Sequence, residues 1–108
     1  MQIYMIGDRS FQLSDDEYLL NRSEWQQDFA KAVAYRNGIK WSDEAGQWVG
    51  HAQAFYSKFN ITPIDSTFAA YCQKNSLDYA KMVLVFGNTN TLSKVSGLPR
   101  YRGCGCGR

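Results

Sequence analysis

The sequence has little of what marks secreted or membrane-bound proteins. It contains three cysteines among 108 residues. That odd number does not favour a framework of structural disulfides, and a reducing compartment would keep the cysteines as thiols. No segment approaches the roughly 20 apolar residues that cross a membrane. The N-terminal MQIYM lacks the basic start and apolar stretch of a signal peptide. We therefore expect a cytoplasmic protein that makes no membrane contact.

The net charge is also low, and positive charge is concentrated at the C-terminal end. The formal net charge is +2, which is too small to indicate nucleic-acid binding. Residues 88–108 hold four of the twelve basic residues and no acidic one, so the remaining chain has eight basic against ten acidic residues. We call residues 1–87 the body, and its acidic residues outnumber its basic ones. Phosphate contacts need clustered Lys and Arg, so the body does not favour nucleic-acid binding.

The N-terminal part predicts a small β-structure. Gln2–Ile6 and residues 10–13 are short apolar and aromatic segments, and the Gly7-Asp8-Arg9 sequence between them is typical of a turn. This pattern predicts a β-hairpin. Residues 18–20 could add a third short strand.

The rest of the body predicts helices. Ser23 is the expected N-cap of a first helix that ends near Gly38, and Ser42 is the expected N-cap of a second. A third helix is expected over residues 65–74 and a fourth over residues 77–86, although residues 82–86 would also suit a buried strand. A short turn of helix is expected at residues 91–95.

These elements predict an α+β fold in which a hairpin or meander packs on four to five helices. We expect a globular domain over residues 1–93 and a mobile C-terminal arm over residues 94–108. The arm reads KVSGLPRYRGCGCGR, and its glycines and proline oppose a stable helix. A thiol on a flexible cationic arm suits transfer of a group between proteins. The alternative is that residues 94–108 are a disordered terminus without a function.

Several motifs along the chain resemble those of one family. They are Ser23-Glu24-Trp25, the Asn37-Gly38-Ile39 sequence before the Ser42 cap, FYSKFN at residues 55–60, and above all KVSGLP at residues 94–99 ahead of a cysteine. Together they resemble the TusE/DsrC family of sulfur-relay proteins. The resemblance implies a small β-meander on a helical array with a mobile C-terminal arm.

The resemblance also implies a function. Counted from the Gly-Leu-Pro motif, the active Cys of the family falls on Cys104, and the second arm Cys of sulfite-reductase partners falls on Ser93. A serine cannot close an intramolecular disulfide. The implied function is a TusE-like persulfide carrier, a sulfurtransferase in the sense of forming a covalent intermediate; whether it counts as an enzyme stays open. It would take sulfur from upstream donor proteins and deliver it to the enzyme that thiolates the tRNA wobble uridine, contacting tRNA only indirectly.

Residues around the cysteines fit this chemistry. Arg100, Arg102 and Arg108 would favour the reactive thiolate, and Gly103 removes a side chain beside the sulfur of Cys104. Cys106 could be a second carrier, a resolving thiol or a bystander.

Gly97, Leu98 and Pro99 are predicted to contact partners, as is Trp41.

Departures from the family pattern leave a second function open. Ala45 and Gly46 stand where a His-Trp pair is usual, and Gln53 stands where an arginine is usual. The alternative is a DsrC-like partner or regulatory subunit that binds a sulfite reductase or a relay complex without carrying sulfur.

A Cys-X-Cys pair could also hold a soft metal. Zinc sites usually need four ligands, and the other candidates, His51 and Cys72, fall on different predicted helices. We predict no metal site and no cofactor.

Overall fold

The computed structural model describes residues 2–100. Two antiparallel strands precede a single turn of 3-10 helix at Arg22–Glu24 and five α-helices. The elements are β1 (Gln2–Ile6), β2 (Arg9–Leu13), α1 (Gln27–Arg36), α2 (Asp43–Phe59), α3 (Asp65–Lys74), α4 (Tyr79–Phe86) and α5 (Thr89–Val95). The predicted α+β fold is confirmed.

The N-terminal hairpin forms as predicted. Ile6 lies opposite Arg9, so Gly7 and Asp8 make the turn, and Gly7 has a φ of 63° that few other residues adopt. The alternation of β2 buries Phe11 and Leu13 against the helices. The expected third strand is reduced to one isolated bridge between Leu13 and Leu19.

Local capping chemistry sets the ends of the first two helices. Ser42 accepts a hydrogen bond from the backbone N–H of Ala45, as predicted for the α2 N-cap. Gly38 (φ 76°) follows α1, and Ile39 N–H returns to Ala34 O at 2.9 Å in a Schellman arrangement. The prediction of Ser23 as N-cap of α1 is wrong. Ser23 belongs to the short 3-10 helix, and α1 begins at Gln27.

The core is rich in aromatic side chains. Phe55 and Phe68 meet edge to face with ring centroids 5.7 Å apart, and Phe68 also contacts Trp48 at 6.2 Å. Residues 82–86 are helical rather than a strand, and Met82 and Phe86 face the core from α4.

Helix α5 packs against α1, α2 and α4 and so lies among the other helices. Leu92 and Val95 are fully buried on it. The chain that leaves α5 therefore starts from inside the helical array. Within residues 2–100, no helix has the length and apolar character needed to cross a bilayer.

Candidate functional site

The segment that follows α5, residues 96–100, stays on the body instead of leaving it at once. Ser96, Gly97 and Leu98 are buried, and the N–H of Leu98 donates to Ser93 O at 3.0 Å. Pro99 and Arg100 are the first exposed residues. The chain remains packed in the core as far as Leu98, four residues beyond the predicted start of the arm at Lys94.

Trp25 covers this segment. Its indole Nε1–H donates to Val95 O at 2.9 Å, and its side chain lies against Gly97. A Cβ on Gly97 would come within 2.5 Å of Trp25 Cδ1, and Gly97 has a φ of 74°. Only glycine fits this backbone conformation under the indole.

Two further side chains hold the backbone of the segment. Gln53 on α2 donates from Nε2 to Ser96 O at 3.0 Å. Thr62, buried in the loop after α2, donates from Oγ1 to Pro99 O at 2.8 Å. We call Trp25, Gln53 and Thr62 the clamp, because each of them donates a hydrogen bond to a main-chain carbonyl between Val95 and Pro99.

The clamp was not predicted as a site. The sequence predicts Trp25 as a core aromatic within a family motif and Gln53 as a departure from the usual arginine, and it predicts neither as a contact of the C-terminal segment. Their hydrogen bonds join residues 37 to 70 positions apart. No local pattern in a single sequence indicates such pairs.

Beyond the clamp, Arg100 turns toward the loop after β2. Its guanidinium donates to Asp16 Oδ2 at 2.8 Å, and both side chains are more than half exposed. This ion pair joins Arg100 to the body, and the predicted role of Arg100 beside a thiolate stays a prediction. The two residues border a cleft of about 570 Å³.

The wall of this cleft combines apolar and polar side chains. Leu20 is 53% exposed beside Pro99. Tyr18 is buried, and burial raises the pKa of its phenol, with Arg100 opposing that shift and Asp16 adding to it. Its phenol therefore stays protonated at neutral pH. The cleft lies beside Arg100, the last residue that the structure describes.

The predicted site residues fall into two groups. Arg102, Gly103, Cys104, Cys106 and Arg108 lie outside the described residues. Of the predicted partner contacts, Gly97 and Leu98 are buried, and Trp41 is half-buried against the core. Pro99 alone among the four is exposed.

Ser93 and Cys72 are two buried side chains that bear on the predicted chemistry. Ser93 is 1% exposed, and its Oγ finds no hydrogen-bond partner in the part of the chain that the structure describes. Cys72 is fully buried, and burial raises the pKa of its thiol to about 11. Cys72 is therefore an inert core residue at neutral pH.

Comparison with known proteins agrees with the resemblance. Residues 5–105 match the family described as DsrC like protein. The "Sulfurtransferase TusE homolog" of Haemophilus influenzae is 27% identical over 95 residues, which cover 82% of this chain and 87% of that protein.

Two solved structures have the same fold. Allochromatium vinosum DsrC superimposes with a TM-score of 0.81 at 17% identity, over 94% of this chain and 96% of that one. The oxidized gamma-subunit of dissimilatory sulfite reductase (DsrC) from Archaeoglobus fulgidus gives a TM-score of 0.78 at 18% identity, over 95% and 99%. Because the family match spans nearly the whole sequence, this chain belongs to the DsrC-like protein family.

Proposed function

We propose that this protein is a cytoplasmic sulfur carrier that holds a persulfide on Cys104. The observation that carries the proposal is the similarity to curated relatives named sulfurtransferase TusE, which extends over more than four-fifths of the chain. The family match ends at residue 105. It includes Cys104 and stops before Cys106, which supports Cys104 as the carrier.

The reaction is an exchange between two sulfur atoms. The Cys104 thiolate attacks the outer sulfur of a donor persulfide and forms a new S–S bond, while the donor S–S bond breaks and the donor cysteine leaves as a thiolate. No net oxidation or reduction occurs. A second exchange, in which an acceptor thiolate attacks the outer sulfur on Cys104, returns Cys104 to the thiolate.

Sequence neighbours of Cys104 favour the thiolate. Arg102 is two residues before the cysteine and Arg108 is four residues after it, and nearby guanidinium groups lower a thiol pKa. Arg100 contributes less, because it pairs with Asp16.

Ser93 supports a carrier with one working thiol. It is a buried side chain of α5 and offers no sulfur for a disulfide with Cys104. We propose that upstream relay proteins donate the sulfur and that the acceptor is a tRNA-thiolating enzyme, as the likeness to TusE implies.

A second candidate function is binding to a sulfite reductase. The Archaeoglobus relative is described as the gamma-subunit of that enzyme, and the fold is shared. In that role the chain would bind its partner without taking up sulfur.

Mass spectrometry of the intact protein tests the proposal. The wild type, Cys104→Ser and Cys106→Ser would each be incubated with a cysteine desulfurase, cysteine and upstream carriers. We expect the wild type and Cys106→Ser to gain the mass of one sulfur atom, removable by a thiol reductant, and Cys104→Ser to gain none.

Other outcomes have distinct meanings. Loss of the adduct only in Cys106→Ser would move the carrier to Cys106. No adduct on any form, together with binding to a sulfite reductase, would contradict the carrier and favour the second function.

A further inference from the structure

We propose that an apolar groove between α2 and α3 is a docking site for an acidic amphipathic helix of a partner protein. The groove encloses about 330 Å³. Phe55 and Phe59 line it from the C-terminal half of α2, Ile61 lines it from the loop after α2, and one face of α3 completes it. Binding at this surface does not depend on sulfur transfer, so the inference goes beyond the proposed function.

Aromatic rings that contact one another form the wall of the groove. The ring centroids of Phe55 and Phe59 are 4.8 Å apart. Tyr71 on α3 meets Phe55 edge to face at 5.2 Å and Phe59 at 6.1 Å. These are favourable ring geometries, and they join α2 to α3. The groove is therefore preformed, as binding sites usually are.

Two neighbouring side chains leave apolar surface uncovered at this groove. Phe59 is 46% exposed, and Ile61 is 45% exposed. Single exposed apolar residues are ordinary on a protein surface, whereas a group of them in a concave site marks an interaction surface. The groove thus offers apolar area that a partner can cover.

The α3 side of the groove has the spacing of one helical face. Thr67, Ala70, Tyr71 and Lys74 line it, and residues three, four and seven positions apart lie on the same side of a helix. A groove of this kind fits an amphipathic helix, whose own apolar residues repeat at the same spacing. A membrane is a poorer fit, because lipid is entered by protruding apolar side chains rather than by a groove.

The charge beside the groove is positive. Lys74 lines the groove, and Lys58 Nζ lies 5.4 Å from the centroid of the Phe59 ring. Within residues 2–100, neither lysine forms an ion pair. Both ammonium groups are therefore available to a carboxylate from outside the chain.

No nearby carboxylate of this chain offsets that charge. Residues 45–77 contain a single acidic residue, Asp65. Its carboxylate already accepts hydrogen bonds from Thr89 and Tyr79. Complementary charge steers a partner and selects against others. We therefore expect the docked helix to carry acidic residues beside its apolar face.

Fluorescence anisotropy with two labelled peptides tests this inference. Each peptide has about 14 residues, or about four helical turns, with leucines on one face and alanines elsewhere, because both residues favour the helix. One peptide carries glutamates beside the leucine face, and the other carries lysines at the same positions. We expect saturable binding of the glutamate peptide to the full-length protein, about three- to ten-fold tighter than that of the lysine peptide. Absence of saturable binding, or equal affinity for both peptides, would overturn the proposal.

Reversing the two lysines gives the sharpest variant. Lys58→Glu with Lys74→Glu should bind the lysine peptide more tightly than the glutamate peptide. The matched control is Lys31→Glu with Lys81→Glu, which makes the same change in net charge at exposed positions of α1 and α4. We expect the control to keep the preference of the wild type. A reversed preference in the control, or an unchanged one in the groove variant, would contradict the proposal.

Ile61→Ser tests the apolar part of the contact. Because half of this side chain becomes buried on docking, we expect about three- to ten-fold weaker binding of the glutamate peptide. Leu84→Ser on α4 is the control, because Leu84 is 85% exposed and does not line the groove. Equal effects of the two substitutions would place the peptide elsewhere. The lysine variants, which alter only exposed side chains, decide the case if circular dichroism shows Ile61→Ser to be unfolded.

Two other occupants would give different results. A dimer in sedimentation velocity that Ile61→Ser abolishes and Leu84→Ser keeps would place a second copy in the groove. Binding to vesicles of phosphatidylglycerol and phosphatidylcholine that Lys58→Glu with Lys74→Glu abolishes would assign the groove to a membrane. Either result would overturn the proposal. All of these measurements are made with a thiol reductant and without a persulfide donor, so their outcome is separate from the sulfur uptake that tests the proposed function.

Discussion

Gly97 is the glycine, among those that the structure describes, with the least room for a side chain. It combines a φ of 74° with a position where a Cβ would lie 2.5 Å from Trp25 Cδ1. We expect Gly97→Ala to lower the free energy of unfolding by roughly 2–4 kcal/mol, from left-handed strain and overpacking together. Urea denaturation followed by circular dichroism measures this change.

Gly50 is the matched control for that substitution. It lies in α2, and a Cβ there would meet nothing within 4 Å. Gly50→Ala should stabilise the protein by up to about 1 kcal/mol, since alanine favours a helix over glycine. Equal effects of the two substitutions would contradict the close contact between Gly97 and Trp25.

The hydroxyl of Ser93 presents the opposite case, because it is a buried polar group whose hydrogen-bonding capacity the described residues leave unused. Its buried Oγ has no partner among residues 2–100, and an unpaired buried polar group costs about 1–3 kcal/mol. We expect Ser93→Ala to raise the free energy of unfolding by about 1 kcal/mol. Ser57→Ala, on the exposed face of α2, corrects for the higher helix propensity of alanine. No difference between the two variants would show that the hydroxyl of Ser93 is hydrogen-bonded.

At the scale of elements, Asp65 joins α3 to the start of α5. Its carboxylate accepts bonds from Thr89 Oγ1 at 2.8 Å, Thr89 N–H at 3.2 Å and Tyr79 O–H at 3.1 Å. The hydrogen bond from the Thr89 hydroxyl is the main cause that lowers the pKa of Asp65, and burial opposes it. Burial first, and then the bond to Asp65, raise the pKa of Tyr79 to about 12, so the phenol remains a donor.

This arrangement predicts a pH dependence of stability. Because the pKa of Asp65 is lower in the folded state, its contribution is present above the unfolded value of about 4 and is lost as pH falls through the folded pKa. Asp65→Asn should cost about 1 kcal/mol at neutral pH. We expect the difference from the wild type to shrink in denaturation curves recorded at successively more acidic pH. A difference that stays constant with pH would contradict the contribution of the carboxylate.

Local signals in the sequence predicted the helices and strands better than the contacts between them. The cap at Ser42 and the glycine at Gly38 act within a few residues, so their roles could be predicted from the chain alone. The cap at Ser23 was placed wrongly because Asn21 caps the short 3-10 helix instead. For the site, the sequence indicated Pro99 and Arg100 but not the partners Thr62 and Asp16, which lie far away along the chain.

For the whole molecule, buried residues continue past residue 93, where the predicted domain ends, as far as Leu98. A domain over residues 1–93 would omit Val95 and Leu98, both fully buried. Deletion of such apolar side chains costs about 2–5 kcal/mol each, against a total stability of about 5–15 kcal/mol. We expect a protein ending after Ser93 to be largely unfolded by circular dichroism, and one ending after Arg100 to unfold cooperatively in urea. If both truncated proteins were equally stable, residues 94–100 would belong to the arm and the clamp would not hold them in solution.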